Sequence, residues 1–486
     1  MSFKKILFAI GVIYFITAKG HIEIIDTEYS IRTAVAFLDN NSLLIEPPDK
    51  SIYNISNDNN SFKIYSKYGI GVWILFIPFV IVGKFLSFIF SIEEGLTIGF
   101  ILSFVSTIFG VLGLWFFKKI QLQIGVSELK SNVITIALGL TSFYWKYSTT
   151  DFTAIIQACS ILAVLYHLNS KSKSKFYYVS LWFSFLISIK VIYVIFIPIF
   201  IIYVYYKVRK KSKKHIAIIL LKYSSLVIPT LTLILFYNYS RYGHIFETGY
   251  GNEVSMFSVK YFLRDFIPYI FSLERGILIY NPLMVFSLFG LFSISKNNRV
   301  FFMLVLSIIS SFYLLMCFWE DYYGDYSWGN RFLVPILPLI FLFITNVTFS
   351  KKIQKYSFII IFAISFTIQT SGTFTKIHEI KEVQNFIKLK SENKEPNQLI
   401  TGLFLMIDKF KKNKPIYNTS HFTQNDSKLI DLSSFNTFHG FNLWSVHFLN
   451  HLGYKSISYL VGLFIFIIVT FVLLMLTLPF FRTKNS

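Results

Sequence analysis

Apolar residues along this chain gather into long runs, separated by short polar or basic stretches. The runs cover 3–19, 69–91, 95–117, 131–147, 151–169, 176–206, 215–237, 276–295, 299–318, 331–349, 355–374 and 456–481. Each reaches or approaches the length that crosses a bilayer as a helix. The 176–206 run is too long for one span and carries Lys190 at its middle, so it divides there into two helices. That makes thirteen candidate segments.

Basic residues test the count. If every segment crossed with Lys4 and Lys5 inside, Lys118, Lys119 and every later basic cluster would face outward. If 69–91 does not cross, those two fall inside, with Lys171–Lys175, Lys207–Lys214, Lys296, Arg299, Lys351–Lys355, Arg482 and Lys484. The second arrangement obeys the positive-inside rule throughout. It predicts twelve spans with both termini in the cytoplasm. The 69–91 run, with Gly69, Gly71 and Pro78, becomes an interfacial helix or re-entrant pair at the outer face. The non-cytoplasmic regions are then 20–94, 238–275, 319–330 and 375–455. Residues 1–374 form a transmembrane core, 375–455 an extracytoplasmic subdomain, and 456–486 a last span and tail. The first apolar run lacks a small-residue cleavage site near Ala18 and reads as a retained span.

Composition supports a membrane protein. Hydrophobic residues are 54%, aromatic 19% and charged 15%, and mean hydropathy is +0.57. A soluble domain carries roughly 25% charged residues. The formal net charge of +21 would suggest nucleic acid in a soluble chain. Here the charge sits in inner loops, and no nucleic-acid partner is expected. Cys159 and Cys317 lie inside apolar runs and read as buried thiols. His421, His439, His447 and His451 lack tight ligand spacing, so no metal site is read there. The chain has no phosphate-cradling glycine loop, which argues against a nucleotide-driven pump.

Acids are scarce, at 25, so their placement is informative. Glu23, Asp26 and Glu28 follow the first span. Asp26 precedes an amphipathic pattern and either caps that helix or carries chemistry. Lys67 precedes the 69–91 segment, where a lysine either snorkels or binds. Arg241, Arg275 and Arg331 sit just beyond outer membrane ends, against the charge bias; Arg275 also has Glu274 beside it as an ion-pair partner. Glu320, Asp321 and Asp325 stand among aromatics that form either an interfacial belt or a sugar-stacking surface.

In chain order these features are the outer-loop acids, YSKYGIG at 65–71, NYSRYGHIFETGY, ERGILIYNPL and WGNRFLVPILP. Over about 1–350 this order resembles the GT-C membrane glycosyltransferases. The branch of protein O-mannosyltransferases and lipid A aminoarabinose transferases is the more similar one. The resemblance implies an all-α polytopic bundle with juxtamembrane helices at the outer face. It also implies a polyprenyl-phosphate sugar donor and a lipid, glycan or protein acceptor. It calls for no cofactor, and no divalent ion is indicated. Asp26 maps to the first-loop acid beside the reacting hydroxyl, with Glu28 or Glu23 as alternatives. Relatives often carry a basic residue followed by two prolines where this chain has Lys67-Tyr68-Gly69. A hydroxyl acceptor needs a carboxylate to take its proton. The departing lipid phosphate gains charge that Arg331, Arg275, Arg241 or Lys67 would stabilise, with Asp325 among the sugar-facing residues. A flippase of lipid-linked sugars is the competing class. It would place ionisable residues at mid-span, where Lys190 and Lys84 are the candidates.

Overall fold

A computed structural model describes residues 2–45, 64–251, 256–320, 324, 327–390, 397–411 and 440–482; the side chains of 385–390, 411 and 478–482 are not described. The expected sugar-facing Asp325 lies outside the described residues, as do Asp321, His421 and His439. Among the described residues the chain is helical, with two isolated β-bridges, Leu44 to Tyr65 and Phe257 to Trp319.

The N-terminal half runs through α1 (Phe3–Thr17), α2 (Ile25–Asn40), α3 (Ile70–Phe90), α4 (Glu94–Leu102), α5 (Val105–Gln123) and α6 (Glu128–Leu140). It continues through α7 (Phe143–Ser148), α8 (Ala154–Leu168), α9 (Lys175–Ile189), α10 (Phe196–Val208), α11 (Lys213–Ser224) and α12 (Val227–Tyr242). Helix α8 is buried on nearly every face and packs against α5 and α9, so it forms the centre of the core. Where described, the last predicted outer loop is also helical, at Ile377–Lys390, Gln398–Lys411 and Trp444–His451.

Among the described residues six helices are long and apolar enough to cross a membrane, and α11 with α12 makes a seventh if that pair, bent by 44°, is one span. The apolar windows suggest more spans because windowed hydropathy does not register broken helices. The 131–147 run breaks into α6 and α7, and 331–349 into two 3₁₀ turns around a short helix. The long 176–206 run does break at Lys190. That residue is extended (φ −150°, ψ 113°), and a 3₁₀ turn over Val191–Ile195 leads into α10.

Helix α3 has 21 residues and is apolar enough to cross by itself. Its neighbour argues for the interface. At one end Tyr68, just before α3, bonds Asp26 at the start of α2; at the other, Lys84 bonds Asp39 at the end of α2 at 2.8 Å. The two helices thus run side by side at one level. Helix α2 carries Asp26, Glu28, Arg32 and Asp39, which suit the water boundary rather than hydrocarbon. Single cysteines in place of Lys67 and Ile92, before and after α3, should therefore react with a membrane-impermeant maleimide from the same side. Both native cysteines are buried, which keeps the background low. Labelling from opposite sides would make α3 a crossing.

Candidate functional site

A cavity of about 860 Å³ opens where the start of α2, the start of α3, the break after α9, the end of α12 and the Arg331–Ile336 turn meet. Local sequence explains the meeting. Gly69 and Gly71 lie against Ser188 and Ile189, and a side-chain carbon on either would collide with that backbone. The two glycines thus let α3 abut the end of α9, which brings Lys67 and Lys190 to one space. On the opposite wall, Gly329 adopts φ +61°, where a side chain would also strike Phe143 and Tyr280. Asn330 then caps the next turn, its Oδ1 accepting from the Phe332 N–H at 3.1 Å. Arg331 is delivered between these two features.

Asp26, Lys67, Lys190, Arg241 and Arg331 all line the cavity. Asp26 is not a cap, as its position before the amphipathic pattern allowed. Ile24 holds the cap position, and Asp26 stands in the first turn with 41% of its side chain exposed. The Tyr68 hydroxyl donates to Asp26 Oδ1 at 2.5 Å, and Arg331 Nη1 lies 3.9 Å from Oδ2. Lys67 stands over the rings of Tyr68 and Tyr250, at 5.9 and 5.2 Å. Arg241 is buried, donates to the Ser66 carbonyl and to Asn238 Oδ1, and stacks on Tyr237 at 3.7 Å. Lys190 and Arg331 share the face of Phe332, at 5.9 and 5.1 Å. The rest of the wall is largely apolar, with Ile192, Ile195, Ile234, Phe312, Leu315 and Met316. Four cations and one carboxylate thus share a largely apolar cavity, a setting for an anionic headgroup on an apolar tail.

Three sequence candidates lie elsewhere. Arg275 is buried and donates to the Ser327 and Gly329 carbonyls, so it braces the loop that presents Arg331. Glu28 pairs with Arg32 one turn on, at 2.8 Å, and does not line the cavity. Glu23 is only 6% exposed and accepts from Asn442 Nδ2 at 3.0 Å beside His21 at 3.4 Å. That network also holds Lys19, whose ammonium donates to the Thr373 and Asn442 carbonyls at 2.5 and 3.0 Å. It ties the segment after α1 to the chain around 442. Burial works against the Glu23 charge, but His21, Lys146 and Lys19 hold its carboxyl well below the usual range. Tyr68 is the cavity residue that sequence reasoning passed over. Its signal was its place within YSKYGIG, directly after Lys67.

No family model matches the chain, and no curated protein sequence does. The structure is similar to the crystal structure of ArnT from Cupriavidus metallidurans bound to undecaprenyl phosphate. The match has a TM-score of 0.53 at 10% identity and covers 97% of this chain and 76% of ArnT. The chain has the GT-C fold. It is an all-α, multi-pass membrane protein in which the GT-C framework comes without sequence likeness, so the shared feature is the arrangement of helices.

Within this GT-C framework, Arg275 should behave as a brace and Lys67 as a cavity wall. Arg275→Ala strands two buried carbonyls and should cost about 3 kcal/mol, seen as a lowered Tm in detergent. Lys67→Ala should change stability by no more than about 0.5 kcal/mol. Equal losses would remove the distinction.

Proposed function

We propose that the chain is a glycosyltransferase that moves a sugar from a polyprenyl-phosphate carrier to an acceptor hydroxyl at the outer face of the membrane. The observation that carries the reading is the Asp26 carboxylate facing Arg331 in a cavity shared with Lys67, Lys190 and Arg241. The undecaprenyl phosphate bound in the similarly folded ArnT supports a lipid-phosphate donor. The outer-face placement follows from the basic residues of the remaining loops.

Each group has a task in this reaction. Asp26 takes the acceptor proton as the hydroxyl oxygen bonds to the sugar's anomeric carbon. The bond from that carbon to the phosphate oxygen breaks, and its electron pair leaves on the lipid phosphate. Lys67, Lys190, Arg241 and Arg331 stabilise that growing charge. Tyr68 donates to the oxygen of Asp26 nearer to it, which leaves the other oxygen to face the acceptor and Arg331. The apolar wall takes the first isoprene units. Displacement on one face of the sugar inverts the anomeric centre.

The flippase alternative drew on Lys190 as a mid-span charge. Its position in the same cavity as Asp26 gives it a phosphate to bind and supports the enzyme.

The test uses purified protein in nanodiscs with undecaprenyl-phosphate sugars. Asp26→Asn should lower transfer by about 10³-fold while undecaprenyl phosphate binds within about twofold of wild type. Arg331→Ala should weaken that binding by about tenfold, or about 1.4 kcal/mol. Full transfer by Asp26→Asn would sink the assignment of the base.

A further inference from the structure

We infer that Asp151, outside the cavity, is a positioning residue that clamps the entry of α2 and so sets the direction of the Asp26 carboxylate. The inference rests on the reading of Asp26 as the base. Its geometry stands independently. Asp151 sits between α7 and α8, 5% exposed, more than a hundred residues away from the segment it holds. Its Oδ1 accepts from the Glu23 backbone N–H at 3.3 Å and its Oδ2 from the Ile24 N–H at 3.0 Å. Its own carbonyl accepts from Thr27 Oγ1 at 2.7 Å. Three bonds to one residue therefore bracket Asp26 on both sides.

The local sequence makes such a clamp necessary. A helix start leaves its first N–H groups without partners, and a Ser, Thr, Asp or Asn cap usually serves them. Here the cap position is Ile24, which has no acceptor, and no side-chain cap bond forms. With no cap to fix the first turn, Asp151 holds the two residues that lead into it, accepting from the Glu23 and Ile24 N–H groups. The consequence for Asp26 is angular. A helix advances about 100° per residue, so unwinding one residue at the start of α2 would turn Asp26 away from Tyr68 and Arg331. The clamp is also built into the core. Glu23 is anchored by Asn442 while Asp151 holds its backbone, so the helix entry is fixed from two sides.

The experiment compares wild type, Asp151→Asn and Thr27→Val in nanodiscs by two readouts. Asparagine keeps one acceptor but turns an amide donor toward a backbone N–H. Valine keeps the shape of Thr27 and removes its bond to the Asp151 carbonyl. The first readout is hydrogen exchange in a peptide spanning 21–30, which needs no activity. Asp151→Asn should exchange there at least about tenfold faster, Thr27→Val less so, with the core helices unchanged. The second is steady-state transfer. kcat should fall by about 10- to 100-fold in Asp151→Asn, while donor KM and undecaprenyl-phosphate affinity stay within about twofold. A role in general stability would move exchange everywhere; a role in donor binding would move KM. Unchanged protection at 21–30 in both variants overturns the inference, and so does unchanged kcat where wild type is active. If wild type transfers nothing from any donor, the proposed function fails, and the exchange result still decides the clamp. If Asp151→Asn does not fold, Thr27→Val carries both readouts.

Discussion

The contact between Asp26, Tyr68 and Arg331 is the constraint on which the site depends. These residues come from three distant stretches of chain. Each is held in place by something other than the contact itself. Tyr68 is placed by glycines that let α3 touch the end of α9. Arg331 is placed by a left-handed glycine, an asparagine cap and the Arg275 brace beneath them. Asp26 is placed by the backbone that Asp151 holds. An ion pair at 3.9 Å between partly open side chains is weak on its own. It is a product of the fold rather than a cause of it, and the rigidity beneath it makes the geometry useful.

Broken helices are the second theme. A continuous span satisfies all its backbone groups and leaves no opening for chemistry. Here the break at Lys190 and the 3₁₀ turn over Arg331–Ile336 both line the cavity. Extended or 3₁₀ backbone is tolerated at these points because they line a cavity within the protein rather than face lipid. The cost of irregular backbone and the placement of cations are thus met at the same positions.

Much of this was legible in the sequence, and the reasons differ by residue. Membrane class followed from apolar runs and scarce charge, because those are properties of composition. The break at Lys190 followed from a run too long for one helix. Asp26 was singled out because acids are scarce, Lys67 by its place before the 69–91 segment, and Arg241 and Arg331 because they ran against the expected charge bias; the structure brings these four to one cavity. Arg275 met the same criterion as the other two arginines and is elsewhere, since a brace for buried carbonyls and a ligand for phosphate look alike in one dimension. Asp151 gave no signal at all. Its partners are backbone amides, which every sequence contains. Continuous spans are fewer than apolar runs, because hydropathy averages over the very residues at which a helix breaks.

Arg241 has one further property. Its guanidinium is stacked on Tyr237 at 3.7 Å and Tyr242 at 4.7 Å and is bonded to Ser66 and Asn238, so its rotamer is already chosen before any ligand arrives. Freezing a long, mobile side chain on binding costs about 0.5–1.5 kcal/mol. Arg241 makes that sacrifice during folding. An incoming anion therefore finds one cation whose attraction is not diluted by lost motion, and the entropy of capture falls on the other three.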